Sequence, residues 1–242
     1  MRICESAFLR RWVACVGSVV WLALAGCGSD GSSAVMVPPV GDGNEPIVTG
    51  FVFAPNGVMA SSSPTRLFQY AFDGLFASPA SAVQGVSPVG AGVPVSLVEL
   101  DWVDFADGRI DSPLPLDLDT FTEADGRYRI VDPEARDVLG CRKMLIAGAG
   151  NTVMRALVFG REVDIDPASE ALVRVLLDFV SGSTAQLCDF NASELQRLRQ
   201  RVQDVTFTAR GNSVAEASAA AYELARRNRS LQQALLAAAT TE

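Results

Sequence analysis

Thr120-Phe121-Thr122-Glu123-Ala124-Asp125-Gly126-Arg127-Tyr128-Arg129-Ile130 is the stretch on which the fold turns. An Asp-Gly pair sits between two segments of alternating side chains, the pattern of a β-hairpin. The same texture continues on both sides. Upstream, Val93-Pro94-Val95-Ser96-Leu97-Val98-Glu99-Leu100 alternates and reads as a strand. Further upstream, Ile47-Val48-Thr49-Gly50-Phe51-Val52-Phe53 reads as a first strand, closed by the turn residues Pro55-Asn56-Gly57. Downstream, residues 143–149 and 153–159 read as two more strands, with Gly148, Gly150 and Asn151 between them. Val163 and Ile165 complete a short last strand. Short strands split by turn signals predict an antiparallel β domain over 47–165. Two irregular stretches interrupt it. Residues 60–90 are rich in Ser, Ala, Pro and Gly around Leu67-Phe68-Gln69-Tyr70-Ala71-Phe72, and residues 101–115 are acidic and turn-rich. Loops of this length inside a domain are either functional or poorly ordered.

Three motifs in this region resemble the carboxypeptidase regulatory-like, or transthyretin-like, β-sandwich family. They are Gly50 with Val52, the strand opening over 92–97, and Thr122, Asp125, Gly126 and Tyr128. The resemblance implies an antiparallel seven-stranded, Ig-like sandwich that acts as an accessory or binding module without catalytic residues. The long stretch at 56–90 and the acidic loop at 101–118 depart from the family pattern.

From residue 166 the period changes from two to that of a helix. Asp166-Pro167 opens a helix, a capping side chain followed by proline at the first helical position. The helix over 168–180 is apolar almost all round, which predicts deep burial. Asn191-Ala192-Ser193-Glu194 and Ser213-Val214-Ala215-Glu216 are capping boxes that open two further helices. The last is alanine-rich, runs to about 239, and carries a break signal at 228–230. An α+β chain follows, with a helical subdomain of three or four helices over 166–242. An Asp-x-Asp-x-x-Ser-Glu-Ala stretch is similar to one that leads from such a sandwich into helices in certain lipoproteins. Asp164, Asp166, Ser169, Glu170 and Ala171 fit it.

The first 26 residues read as an export signal. Arg2, Arg10 and Arg11 precede an apolar run over 12–25, which is too short for a membrane span. The run ends in Leu24-Ala25-Gly26-Cys27, which resembles the bacterial lipobox. That resemblance implies cleavage before Cys27 and a diacylglycerol on its sulfur. Position 28 is Gly and not Asp, which in the enterobacterial sorting pattern favours the outer over the inner membrane. An uncleaved signal anchor, or an ordinary secretory signal, is the alternative. Residues 27–46, rich in Gly, Ser, Pro and Asp, read as a flexible tether. Of the five cysteines, Cys4 and Cys15 leave with the signal and Cys27 is the anchor. Cys141 and Cys188 remain, as a disulfide in an oxidising compartment or as two buried free thiols.

Composition excludes more than it assigns. The chain contains no histidine, so no Ser-His-Asp or Cys-His nucleophile and no His-based metal site can be built from it. Lys143 is the sole lysine. Without Arg2, Arg10, Arg11 and Glu5 the 20 basic and 28 acidic residues become 17 and 27, a net charge of −10. Such a chain repels nucleic-acid phosphates. Asp101, Asp104, Asp107 and Asp111 lack the spacing of an EF-hand and read as a solvated acidic loop. Asp117-Leu118-Asp119 lacks the ligand and glycine that must follow. Gly148-Ala149-Gly150 lacks the third glycine of a dinucleotide loop. No metal or cofactor is expected. The loop aromatics, Tyr70 and Trp102 foremost, either grip a glycan or peptide or fold back over a small core.

The expectation is a lipid-anchored, non-catalytic protein of the bacterial cell envelope with an envelope protein or glycan partner. The alternatives are a carboxylate-based envelope hydrolase and an assembly protein docking a membrane complex through residues 191–239.

Overall fold

The computed structural model of the 242-residue chain describes residues 47–59, 83–100, 113–132, 134, 138–150 and 152–240. Among the described residues the chain is mixed α+β. Eight strands come first: β1 (Ile47–Phe51), β2 (Phe53–Pro55), β3 (Val86–Pro88), β4 (Pro94–Glu99), β5 (Leu114–Phe121), β6 (Arg127–Val131), β7 (Lys143–Ala149) and β8 (Thr152–Leu157). Four helices follow: α1 (Pro167–Ser181), α2 (Ala192–Thr206), α3 (Val214–Arg227) and α4 (Arg229–Ala239), with a 3₁₀ turn at Leu187–Asp189 between the first two.

The strand ladders are antiparallel and small. They comprise the pair β1-β6, the pair β2-β3 and a four-stranded sheet in the order β5-β4-β7-β8. The turn at 123–126 corrects the hairpin expectation. Strands flank it on both sides, but β5 pairs with β4 and β6 pairs with β1. The chain is steered out of the four-stranded sheet by contacts of Thr122 and Gly126 with residues 88–93. The buried Thr122 Oγ1 donates to the Gly90 carbonyl at 2.7 Å and accepts the Val93 N–H at 3.0 Å. Asp125 Oδ1 accepts the Arg127 N–H at 3.0 Å. Gly126 has φ +82°, and a Cβ there would lie 2.9 Å from Pro88 Cβ and from the Val89 carbonyl oxygen. The Asp-Gly turn is thus a corner between two ladders.

The short last strand also differs from expectation. Residues 162–165 run parallel to the first strands, bridging Thr49 to Glu162 and Val52 to Ile165. Gly50 is required here, because a Cβ would fall 1.9 Å from the Val163 carbonyl oxygen. The Tyr128 hydroxyl donates to that same oxygen and also lies 3.0 Å from where a Gly50 Cβ would be. Burial pushes this phenol well above its ordinary range, so it stays a donor. Tyr128→Phe removes the donor and leaves a buried carbonyl without it. The expected loss is about 1–2 kcal/mol of unfolding free energy, read by denaturant titration.

Alternation along β4 and β7 splits the side chains between two apolar clusters. Val95, Leu97, Leu145, Ala147, Met154 and Ala156 pack with Val48, Val52, Ile130 and Ile165 from the other ladders. Val98, Met144 and Leu157 point the opposite way, into Leu172, Leu176, Leu198, Leu231 and Leu235 of the helices. The four-stranded sheet is therefore covered on both faces. At its β5 edge, Pro115, Asp117 and Asp119 and a bulge opposite Leu97 and Val98 blunt further pairing. Asp117 takes the left-handed conformation there, with φ +54°.

The helix boundaries follow the caps read from sequence. Asn191 Oδ1 accepts the Glu194 N–H and Glu194 Oε2 accepts the Asn191 N–H, at 3.0 and 2.9 Å. Ser213 and Glu216 make the same exchange at 3.2 Å each. Asn228 ends α3 and caps α4, its Oδ1 accepting the Leu231 N–H at 2.9 Å. Among the described residues no helix is long and apolar enough to cross a membrane.

Candidate functional site

The densest polar construction among the described residues is the seam where the β region passes into α1. It is built from the Asp-x-Asp-x-x-Ser-Glu-Ala stretch. Asp164 Oδ1 accepts the Phe51 N–H at 3.0 Å, and the guanidinium of Arg199 on α2 donates to the Asp164 carbonyl at 3.2 Å. Asp166 is the N-cap of α1. Its Oδ1 accepts the Ser169 N–H at 2.6 Å while Ser169 Oγ accepts the Asp166 N–H at 3.0 Å, with Pro167 filling the first helical position.

Ser169 and Glu170 then close the open edge of the sheet. β8 is a terminal strand, so its outward N–H and C=O groups need partners. At Arg155, Ser169 Oγ donates to the carbonyl at 2.9 Å and Glu170 Oε2 accepts the N–H at 2.9 Å. Glu170 is 1% exposed. The Arg155 guanidinium grips it through Nε at 2.9 Å and Nη2 at 2.6 Å, and Arg174 Nε donates at 2.7 Å from the next turn. Four N–H donors therefore converge on this carboxylate. Ala171 is fully buried in the apolar cluster shared by the sheet and the helices. Ser169 and Glu170 hold the helix to the strand, while Asp164 ties the seam to Phe51 and Arg199 and Asp166 caps α1. With four N–H donors on it, the Glu170 carboxylate serves as a clamp between α1 and β8.

Asp166 is buried, and that burial raises its carboxyl pKa, against the opposing pull of Arg199 and the Ser169 N–H. The folded state thus holds this proton more tightly than the unfolded chain. The contribution is fully present below the unfolded pKa and is lost as pH rises through the folded pKa. Asp166→Asn keeps the capping oxygen and removes the charge. It is expected to be at least as stable as the native chain at neutral pH, the advantage shrinking as pH falls into the carboxyl range. Asp166→Ala is expected to lose about 1 kcal/mol, the usual value of a cap. Denaturant titrations at two pH values check both.

Cys141 and Cys188 are brought to bonding distance, with Cα atoms 5.1 Å apart at a sequence separation of 47. The pair ties the turn before β7 to the 3₁₀ turn after α1. Of the two readings of these cysteines, the disulfide is the one observed.

Lys143 lies opposite Glu99 in the β4–β7 ladder, and its Nζ donates to Glu99 Oε2 at 2.8 Å. That bond, with Arg142 nearby, holds the Glu99 carboxyl below its usual range. The ammonium is committed to a cross-strand pair. Gly148 and Gly150 make the tight β7–β8 turn with φ +98° and +60°. A Cβ on Gly148 would lie 2.1 Å from the Thr152 carbonyl oxygen.

The remaining candidates lie outside the described residues. These are Cys27, the aromatics Tyr70, Trp102, Phe68, Phe72 and Phe105, and the acidic positions Asp101, Asp104, Asp107 and Asp111. Among the described residues no three Cys, Asp or Glu side chains gather as a metal site would need. Two features were missed from sequence. One is the role of Glu170, which the Asp-x-Asp-x-x-Ser-Glu-Ala stretch names but does not explain; the signal was a carboxylate among the apolar positions of the first half of α1. The other is a recess between α2 and α4 lined by Leu198, Ala234, Ala237 and Ala238. Compared with family models, curated proteins and solved structures, the chain matches none.

Proposed function

We propose that this chain is a lipid-anchored, non-catalytic protein of the bacterial cell envelope. Its β region and helices serve as a binding or structural surface, on the outer membrane in preference to the inner. The observation that carries the reading is Leu24-Ala25-Gly26-Cys27 at the end of a basic-then-apolar leader. The Cys141–Cys188 pair supports it, because disulfides persist in exported proteins and are rare in the reducing cytosol.

We read the β region as a transthyretin-like sandwich. Support comes from the apolar cluster shared by strands of different ladders and from Gly50 and Tyr128, which converge on the Val163 carbonyl. The absence of histidine from the sequence, the four N–H donors on Glu170 and the pairing of Lys143 with Glu99 support a binding role over carboxylate or lysine catalysis.

Growth of producing cells on an alkyne fatty acid tests the anchor. Label is expected on the native chain and not on Cys27→Ser. Equal labelling of the two, or recovery of the unlipidated chain from the cytoplasm, contradicts the reading.

A further inference from the structure

The chain is acidic, with 20 basic residues against 28 acidic ones, yet α2 places three arginines within five residues. Arg199 is turned toward Asp164 and is largely covered. Arg197 and Arg201 stand one turn apart and are exposed. Arg197 donates through Nε to the Ser193 carbonyl at 3.3 Å, which leaves its other N–H groups to solvent. Arg201 has no hydrogen-bond or ion-pair partner among the described residues.

These two guanidiniums border the recess of about 210 Å³ between α2 and α4. Leu198 and the alanines at 234, 237 and 238 make its walls. Glu194 is also at its margin, but that carboxylate is 6% exposed and accepts the Asn191 N–H. Size limits the occupant. Sites for whole small molecules run about 300–1,000 Å³, so this recess is too small to enclose a cofactor or metabolite. It accommodates one or two apolar side chains. Charge limits it further, because guanidiniums bind carboxylates and phosphates in a forked geometry, and the carboxylate is the one of these that an unmodified protein segment carries.

We propose that the α2–α4 recess docks an acidic, amphipathic segment of a partner protein. One aliphatic or aromatic side chain of the segment enters between Leu198 and the alanines. Carboxylates on either side of it meet Arg197 and Arg201. This inference rests on the reading of the chain as a binding protein and is independent of the lipid anchor.

The test uses the purified full chain and fluorescein-labelled, helix-forming 14-residue peptides. Each peptide carries a single Leu or Phe flanked by Glu one turn away on both sides, and a second set carries Lys in place of Glu. Fluorescence anisotropy reads binding. The Glu peptides are expected to bind and the Lys peptides not. Arg197→Glu with Arg201→Glu is expected to weaken binding at least tenfold, and added salt to weaken it in the native chain. Ala237→Trp, placed at an exposed position, fills the recess and is expected to abolish binding. Should that variant unfold in a thermal melt, the exposed arginine reversals still decide.

Several results overturn the proposal. They are no binding by any Glu peptide, equal binding of Glu and Lys peptides, or unchanged binding after the arginine reversals. Displacement of the peptide by dodecanoate would make the recess a lipid site. Self-association of the native chain that the same variants abolish would make it a contact between copies. Failure here leaves fatty-acid labelling at Cys27 untouched, and failure of the labelling leaves this test untouched.

Discussion

Glu170→Ala lowers the free energy of unfolding by about 3 kcal/mol, the low end of the range for breaking a buried ion pair. The carboxylate is 1% exposed and its main partner Arg155 is 21% exposed at the side chain. Its removal strands a partly covered guanidinium and at the same time leaves the edge N–H of Arg155 without its acceptor. Two contrasts separate this account from a general loss of packing. Arg174→Ala, whose side chain is 38% exposed, should cost under about 1 kcal/mol, as exposed pairs do. Glu170→Gln keeps one acceptor and the side-chain volume, and should fall between the two. Denaturant unfolding of the three variants gives the order. Equal losses for Glu170→Ala and Arg174→Ala would show that the clamp on β8 is not where the stability lies.

Loss of the Cys141–Cys188 bond is the second large effect. A bridge across 47 residues removes conformational freedom from the unfolded chain, and the chain-entropy relation puts this at about 4 kcal/mol. For a domain of this size that corresponds to a fall in Tm of roughly 8–16 °C. The expected signature is specific. Cys141→Ser, Cys188→Ser and the double variant should melt together, and reductant should lower the native chain to the same temperature and leave the variants unmoved. Cys188 lies on an exposed 3₁₀ turn, so reductant has access. A reductant-insensitive native melt would remove the disulfide from the account.

Features governed by a few adjacent residues were legible before the structure. Asp166-Pro167, Asn191 to Glu194 and Ser213 to Glu216 start helices where their side chains can cap, and Asn228 breaks the last helix for the same reason. Gly148 and Gly150 mark a turn because of the backbone angles they must adopt. What local pattern does not carry is the partner of a strand. An Asp-Gly turn between alternating segments looks the same whether it closes a hairpin or swings the chain into another ladder. The outcome at 123–126 depends on Thr122 and on Pro88 and Val89, more than 30 residues away from the turn. The parallel course of 162–165 was hidden for the same reason.

The seam shows the limit at the level of single residues. Ser169 and Glu170 fit a recognisable stretch, but their task is defined by Arg155, an edge position on β8. Edge status is a property of the whole sheet. The α2–α4 recess likewise exists only because α4 folds back on α2, and the alanines that line it read in sequence as ordinary helix formers.

The central claim is that this chain works outside the cytoplasm on a lipid anchor, with a bridged pair of cysteines. The intact mass of the protein isolated from producing cells under thiol-trapping conditions tests it most directly. The account predicts a chain beginning at Cys27, heavier by a diacylglyceryl group, with Cys141 and Cys188 unmodified by the trap. A chain that begins at Met1, carries no lipid and has both of these cysteines alkylated would contradict it.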